Sequence, residues 1–392
     1  MDENKSKFHI KRSIMRSCYL LFLILFTAQC LKAQKVTGRN YPVGFTTKSV
    51  VDSSRTYKPD TKTGDPLHYR IVDLDLWYPA YEHPADSMLR VNDLLGLLET
   101  RANFYSGSNI GNGIALQLAQ FFSETFKCGS PVELLHFKTS SRRNAAAAKG
   151  RFPLVIYMTA FNGMSYENFY LFEQLARKGI VVVSISSIGR FPGDMTMKSQ
   201  DLMEQVRDAE TAVKMLRMDS NIDFKNVGIV GYSWGGLAGV LLANKIEGLR
   251  CLVSLEGSEF HHYGNDKKGD EDFDEIKKNE AFKKMRLMLP YLRLESAPPA
   301  NPVKKDSVYN FSGHHILHAQ IFTIDFAKHE DFDCFSYIVP KAGGCPGNMR
   351  YLSALKLTAA FLEEHLQNKG KFAKAVNEAL GRTIKDKGFN KD

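Results

Sequence analysis

Between residues 150 and 365 the chain alternates short apolar runs with longer stretches of helical periodicity. Residues 152–158 are a continuous apolar run, read as a buried strand led by Pro153. Residues 167–178 place Phe169, Phe172, Leu175 and Ala176 at helical spacing, and Gly179 supplies a C-terminal stop. Residues 180–185 are almost all β-branched and predict a strand. Residues 200–218 carry Val206, Ala209, Val213 and Leu216 on one helical face. A strand over 227–230, a helix over 235–245 and a strand over 251–255 follow. Two more strands are read at 290–294 and 320–324, and a helix from 349 to about 365 closes the series. Upstream, residues 74–78 alternate like a half-buried strand and stop at Pro79.

Strands separated by helices predict a mostly parallel sheet flanked by helices on both faces. Two stretches break this rhythm. Residues 81–150 read as a helical insertion ending in the linker-like Arg142-Arg143-Asn144-Ala145. Residues 258–318 are charge-rich in their first half and Pro-rich in their second, an insertion expected above the sheet. The organisation that follows is a core domain over 69–368. An extension over 34–68 precedes it and a basic tail over 369–392 follows it. No internal repeat is visible.

Charge changes the picture little. The 392 residues are 44% hydrophobic and 24% charged, with a formal net charge of +9. That balance suits a globular chain. Nearly all of the excess lies at the ends. Residues 1–33 and 366–392 each carry four more bases than acids, so the body is close to neutral. It has no composition-level case for a nucleic-acid surface.

The basic N-terminus runs to Arg16 and is followed by an apolar stretch from Tyr19 to Phe26. That stretch is shorter than the ~20 residues of a membrane span and suits a secretory signal over 1–33, cut after Ala33. No integral membrane segment is expected after its removal. Lipid anchoring at Cys30 is the lesser reading, because Gln29 is not the small residue a lipoprotein signal places there. Export leaves four cysteines, Cys128, Cys251, Cys334 and Cys345. The reading pairs Cys334 with Cys345 and leaves Cys251 as a buried thiol. No cysteine pair has metal-ligand spacing, and no metal or cofactor is expected.

The chemistry centres on Gly231-Tyr232-Ser233-Trp234-Gly235, a G-x-S-x-G between a predicted strand and a predicted helix. That context holds Ser233 Oγ out at the top of a sheet. A serine needs a base to take its proton. His329, just past the strand at 320–324, is better placed than His261-His262, His314-His315 or His318. The orienting acid is either Glu256, after the strand at 251–255, or Glu295, after the strand at 290–294; position alone leaves both open. Tyr166, Phe169, Trp234, Phe260 and Tyr263 are candidates to line an apolar pocket.

The segments Leu76-Trp77-Tyr78-Pro79-Ala80, the serine elbow, Leu255-Glu256-Gly257 and His329-Glu330-Asp331-Phe332 come in a telling order. It resembles the platelet-activating-factor acetylhydrolase and dienelactone-hydrolase-like branch of α/β-hydrolases, over roughly 70–80 and 150–365. The resemblance implies an α/β-hydrolase fold and a serine esterase for short-chain acyl esters, with lipid degradation among its expected roles; the signal makes it an exported one. It favours Glu256 as the acid and supports His329. Two departures stand out: a Glu where that branch commonly has Asp, and Thr159-Ala160-Phe161-Asn162 where it commonly has a His-Gly oxyanion loop. The oxyanion hole is then expected from the N–H groups of Phe161 and Trp234. Alternatives are amide or peptide cleavage, acyl transfer on the same triad, or a non-catalytic binding protein that kept the fold.

Overall fold

The computed structural model describes residues 40–109, 112–190, 195–259, 275–276, 278–283, 286–296 and 316–386. Its strands are β1 (Val43–Thr56), β2 (Tyr69–Pro79), β3 (Met88–Arg90), β4 (Lys138–Arg143), β5 (Phe152–Met158) and β6 (Val181–Ile185). They continue with β7 (Ile222–Tyr232), β8 (Leu249–Leu255), β9 (Leu287–Ser296), β10 (Ile316–Ile324) and β11 (Ile384–Asp386). All join one sheet in the order β3-β4-β1-β2-β6-β5-β7-β8-β9-β10-β11. From β6 to β10 every pairing is parallel. β2 runs antiparallel to both β1 and β6. This arrangement, with helices on both faces, is an α/β-hydrolase fold.

Side chains alternate across the central strands and build two cores. On β5, Val155 and Tyr157 face one core while Leu154, Ile156 and Met158 face the other, all fully or almost fully buried. Each such aliphatic side chain contributes ~1.5–3 kcal/mol by leaving water. One core packs under α4 (Phe169–Arg177) and α9 (Met349–Gln367); the other under α5 (Ser199–Leu216) and α6 (Trp234–Ala243). Gly179, beyond α4, has φ +82, the left-handed conformation a helix stop needs. α6 is buried on all sides, so the helix behind Ser233 is held by the core rather than by its own propensity.

Three boundaries differ from the sequence reading. The sheet begins at Val43, inside the stretch read as an extension; β1 is mostly polar beyond Phe45 because its outer half faces solvent, which hides the strand pattern. The insertion over 81–150 is not purely helical. It holds α1 (Val91–Ser106), α2 (Ile114–Phe126) and α3 (Pro131–His136), but β3 and β4 pair at the sheet edge, and Arg142-Arg143 belongs to β4. The described part of the basic tail, to Asp386, is folded: α10 (Phe372–Ala379) buries Phe372 and Ala375, and β11 buries Ile384 against β10. Most of the insertion over 258–318 lies outside the described residues; α7 (Glu280–Lys283) and β9 within it do not, and α8 (Phe335–Ala342) follows β10.

The cysteine pairing also differs. The disulfide joins Cys128, between α2 and α3, to Cys345, before α9. Cys334 is a free thiol inside the core, as is Cys251. The close approach of Gly129 to Gly343 brings the bonded pair together across 217 residues of chain, a proximity that sequence spacing conceals. Among the described residues no helix is long and apolar enough to cross a membrane.

Candidate active site

Ser233 sits between β7 and α6 with φ +53 and ψ −121, a backbone conformation L-residues rarely adopt. The chain is forced into it from several sides. The Ser233 N–H donates to Leu255 O at 3.0 Å, and Ser233 O accepts the N–H groups of Gly236 and Ser258 at 2.9 and 3.0 Å. A Cβ on Gly231 would collide with the Gly235 carbonyl, and one on Gly235 with the Met158 carbonyl. The two glycines let strand, turn and helix approach, and leave the Ser233 side chain partly exposed at the carboxyl end of the sheet.

His329 opens a short 3-10 helix (His329–Phe332) after β10. Asp331 caps this turn by accepting the Lys328 N–H at 2.8 Å and the Asn348 amide at 2.5 Å. Tyr232, next to the serine, reaches across. Its hydroxyl donates to His329 O at 3.0 Å and its ring stacks on the imidazole, with centroids 5.2 Å apart. The elbow and the histidine loop are thereby tied directly. Burial lowers the pKa of the imidazole below its ordinary 6.5, while the charges of Glu256 and Glu330 pull it back up. His329 keeps an exposed surface, so this desolvation is incomplete. The neutral base form dominates at pH 7.

The two acids part company in the structure. Glu256 follows β8 at φ +47, and its carboxylate accepts both the N–H of Ser296 and, at 2.8 Å, the Ser296 hydroxyl. It acts electrostatically on His329. Glu295 instead takes the Arg293 Nε at 2.6 Å, and it is not among the charges acting on His329. Arg293 is fully buried and also meets Glu259 at 3.1 Å, so Glu295 serves a buried ion cluster. Among the described residues the His329 ring makes no hydrogen bond, so Glu256 bears on it through charge and not through a bond.

The loop after β5 carries Phe161. Its ring packs edge-on against Trp234, with centroids 5.9 Å apart, which sets the loop beside the start of α6. Gln205 holds Thr159 O at 2.9 Å from below. Glu167, unremarked in the sequence reading, holds the loop from within: its carboxylate accepts the Ala160 N–H and the Tyr157 hydroxyl, each at 3.0 Å. Burial, with the nearby Asp333 charge, pushes the Glu167 carboxyl well above its usual range. A lone acid among aromatics, in Tyr166-Glu167-Asn168-Phe169, was the available signal. Of the aromatics expected to line a pocket, Tyr166 and Phe169 are core residues, Trp234 is buried against Phe161, and Phe260 and Tyr263 lie outside the described residues, as do His261-His262 and His314-His315. No group of three or more metal-ligating side chains occurs among the described residues.

Residues 136–269, about a third of the chain, match the X-Pro dipeptidyl-peptidase (S15) family. No curated protein is matched by sequence. Among solved structures, a ferulic acid esterase from Streptomyces cinnamoneus is similar at 17% identity, with a TM-score of 0.57. That similarity covers 86% of this chain and 93% of the esterase chain. Such a likeness speaks for the shared α/β-hydrolase fold and leaves the substrate to the site itself.

Proposed function

We propose that the chain is an exported serine hydrolase of carboxylic esters, with Ser233 as nucleophile, His329 as general base and Glu256 as the orienting acid. The observation that carries this reading is the backbone of Ser233. A non-glycine residue at φ +53 is pinned there at a helix N-terminus, beside a histidine loop and an acid. Strain of this kind persists only where the surroundings over-determine it.

The proposed reaction is acyl transfer in two halves. Ser233 Oγ attacks the ester carbonyl as His329 takes its proton. The negative oxygen of the tetrahedral species is met by the N–H groups of Phe161 and Trp234, aided by the positive end of α6. His329 returns its proton to the leaving alcohol. Water then attacks the acyl-enzyme by the same route and releases the acid. Glu256 turns from its Ser296 tether to stabilise the imidazolium, since such contacts tighten once substrate is bound. The disulfide of Cys128 and Cys345 supports export, because such bonds persist in oxidising compartments.

A second reading is peptide cleavage, favoured by the match to the S15 family. Hydrolysis of p-nitrophenyl acetate against that of an X-Pro p-nitroanilide separates the two. In either case Ser233→Ala should cost ~10⁶ in kcat without lowering Tm. Retained activity in that variant would overturn the serine mechanism.

A further inference from the structure

One cavity lies beside the oxyanion loop and is not used by the steps above. It occupies about 390 Å³ between α1, the early part of β2 and the segment after β6. Asn162, Gly163 and Met164, which follow Phe161 directly, form one wall. Tyr57, Leu98, Tyr105, Ile185 and Ile188 supply much of the rest. Tyr57 and Tyr105 meet edge-on with centroids 5.9 Å apart, so the wall is an aromatic corner.

The charged side chains at this cavity already have partners. Arg101 makes two bonds to Asp75 at 2.9 and 3.0 Å, reaches Asp73 at 3.4 Å, and donates to Ser165 and Thr47 at 3.1 Å each. Asp208 is held by Arg70 and, at 2.8 Å, by Arg55. Carboxylates match or outnumber guanidiniums in this network. An anionic ligand would find no cation to recruit, and exchanging these bonds for new ones would cost more than it returned. An uncharged, flat, apolar group loses nothing here and gains the burial of its faces.

We infer that this cavity takes an uncharged aromatic arm of the ester. The inference rests on the ester-hydrolase reading, which places the substrate carbonyl at the Phe161 N–H, one residue from the cavity wall. An acetyl group would leave most of the volume empty, so the site fits an arm larger than the short acyl chain the sequence resemblance implies. Leu98, Arg101, Ala102, Tyr105 and Ile114 come from the insertion over 81–150, so selectivity is set by that insertion and by Tyr57.

The test varies one arm at a time on the full exported chain. One series is p-nitrophenyl acetate, benzoate and 3-phenylpropionate; the other is methyl, phenyl and 2-naphthyl acetate. At least one aromatic series should exceed its small member in kcat/KM by about tenfold or more. Ala102→Trp, which fills the cavity, should erase that advantage while leaving methyl acetate, which has no aromatic arm, within about twofold. Equal effects on all esters, or none on any, would overturn the inference. Binding of 2-naphthol and 2-naphthoate to Ser233→Ala, read by protein fluorescence, tests the cavity without turnover. Naphthol should bind, naphthoate should bind at least about tenfold more weakly, and Leu98→Trp or Ala102→Trp should abolish naphthol binding. Equal binding of the two ligands, or naphthol binding that survives both variants, would also overturn it. If no ester is hydrolysed while naphthol still binds, the ester reading fails and the aromatic site stands.

Discussion

The main-chain oxygen of Glu167 accepts the Cys334 N–H at 3.2 Å. The same residue's carboxylate holds the Ala160 N–H and the Tyr157 hydroxyl. One buried residue therefore ties the loop that bears Phe161 to the loop that follows His329. Its neighbour Asn168 strengthens the join, with its amide donating to Phe332 O at 2.9 Å and its oxygen accepting the Tyr351 hydroxyl at 2.8 Å. The two halves of the site are registered through these buried bonds beside the carboxyl end of β5, a central strand.

Glu167→Ala should consequently lower kcat by about ten- to a hundredfold while changing KM less, because the oxyanion donor is misplaced at the transition state. Glu167→Gln keeps an oxygen acceptor for Ala160 and should recover most of the rate. Steady-state kinetics on p-nitrophenyl acetate decides the point. Equal losses in both variants, or a loss confined to KM, would refute a positioning role.

The pH profile of kcat/KM should show an acid limb at His329. Burial lowers this imidazole below 6.5, so activity should rise through an apparent pKa under that value and then level off. The charge of Glu256 works in the opposite direction and raises it. Glu256→Gln should therefore move the limb to lower pH as well as reduce the plateau. Glu295→Gln should leave the limb in place. It removes one partner of buried Arg293 and should instead cost about 1–3 kcal/mol of stability, seen as a lower Tm. A limb moved by Glu295→Gln and not by Glu256→Gln would reverse the assignment.

The different surroundings of Glu256 and Glu295 were partly legible. Arg293 and Glu295 are two apart on a strand, which places them on one face. The structure joins the two in an ion pair at 2.6 Å. The elbow, the central strands and helices α4, α5, α6 and α9 were legible because one or both faces are buried and the apolar period records it. β1 was not, since beyond Phe45 most of its residues face solvent. Glu167 escaped notice because a helical reading of 167–178 treats an N-terminal Glu as a solvated first-turn acid. The structure instead starts α4 at Phe169 and buries Glu167.

Among the described cysteines, reduction should weaken the fold through one bond. Cys128 and Cys345 anchor the insertion helices to the segment before α9, and closing so long a loop should contribute ~2–5 kcal/mol. Dithiothreitol, or the double variant Cys128→Ser/Cys345→Ser, should lower Tm. Cys251 and Cys334 are fully buried, and burial raises both thiols above their ordinary pKa, so they should resist thiol reagents until the chain unfolds. Rapid labelling of Cys334 in the native protein would contradict its placement.

Asp333 makes stability depend on pH in an unusual direction for a carboxylate. It is enclosed beside Glu167, and burial raises its pKa from 3.8 to about 7, against the pull of the Phe335 N–H bonded at 2.6 Å. Glu173, buried against Ser140 and Ser141, is likewise raised to about 7. The folded state thus holds these protons more tightly than the unfolded chain. Their stabilisation is complete below the unfolded pKa and is lost as pH rises through about 7. Asp52 and Asp201 are lowered and act in the opposite sense, losing their contribution only at strongly acid pH. Asp333→Asn keeps an acceptor for the Phe335 N–H but has no charge to bury. Its Tm relative to the parent should therefore improve steadily between pH 4 and pH 8, by about a few degrees in total. Thermal melts at matched ionic strength measure the difference. A difference that stays flat across that range would mean that Asp333 does not titrate inside the fold, and that the contact between the Glu167 and His329 segments is maintained without it.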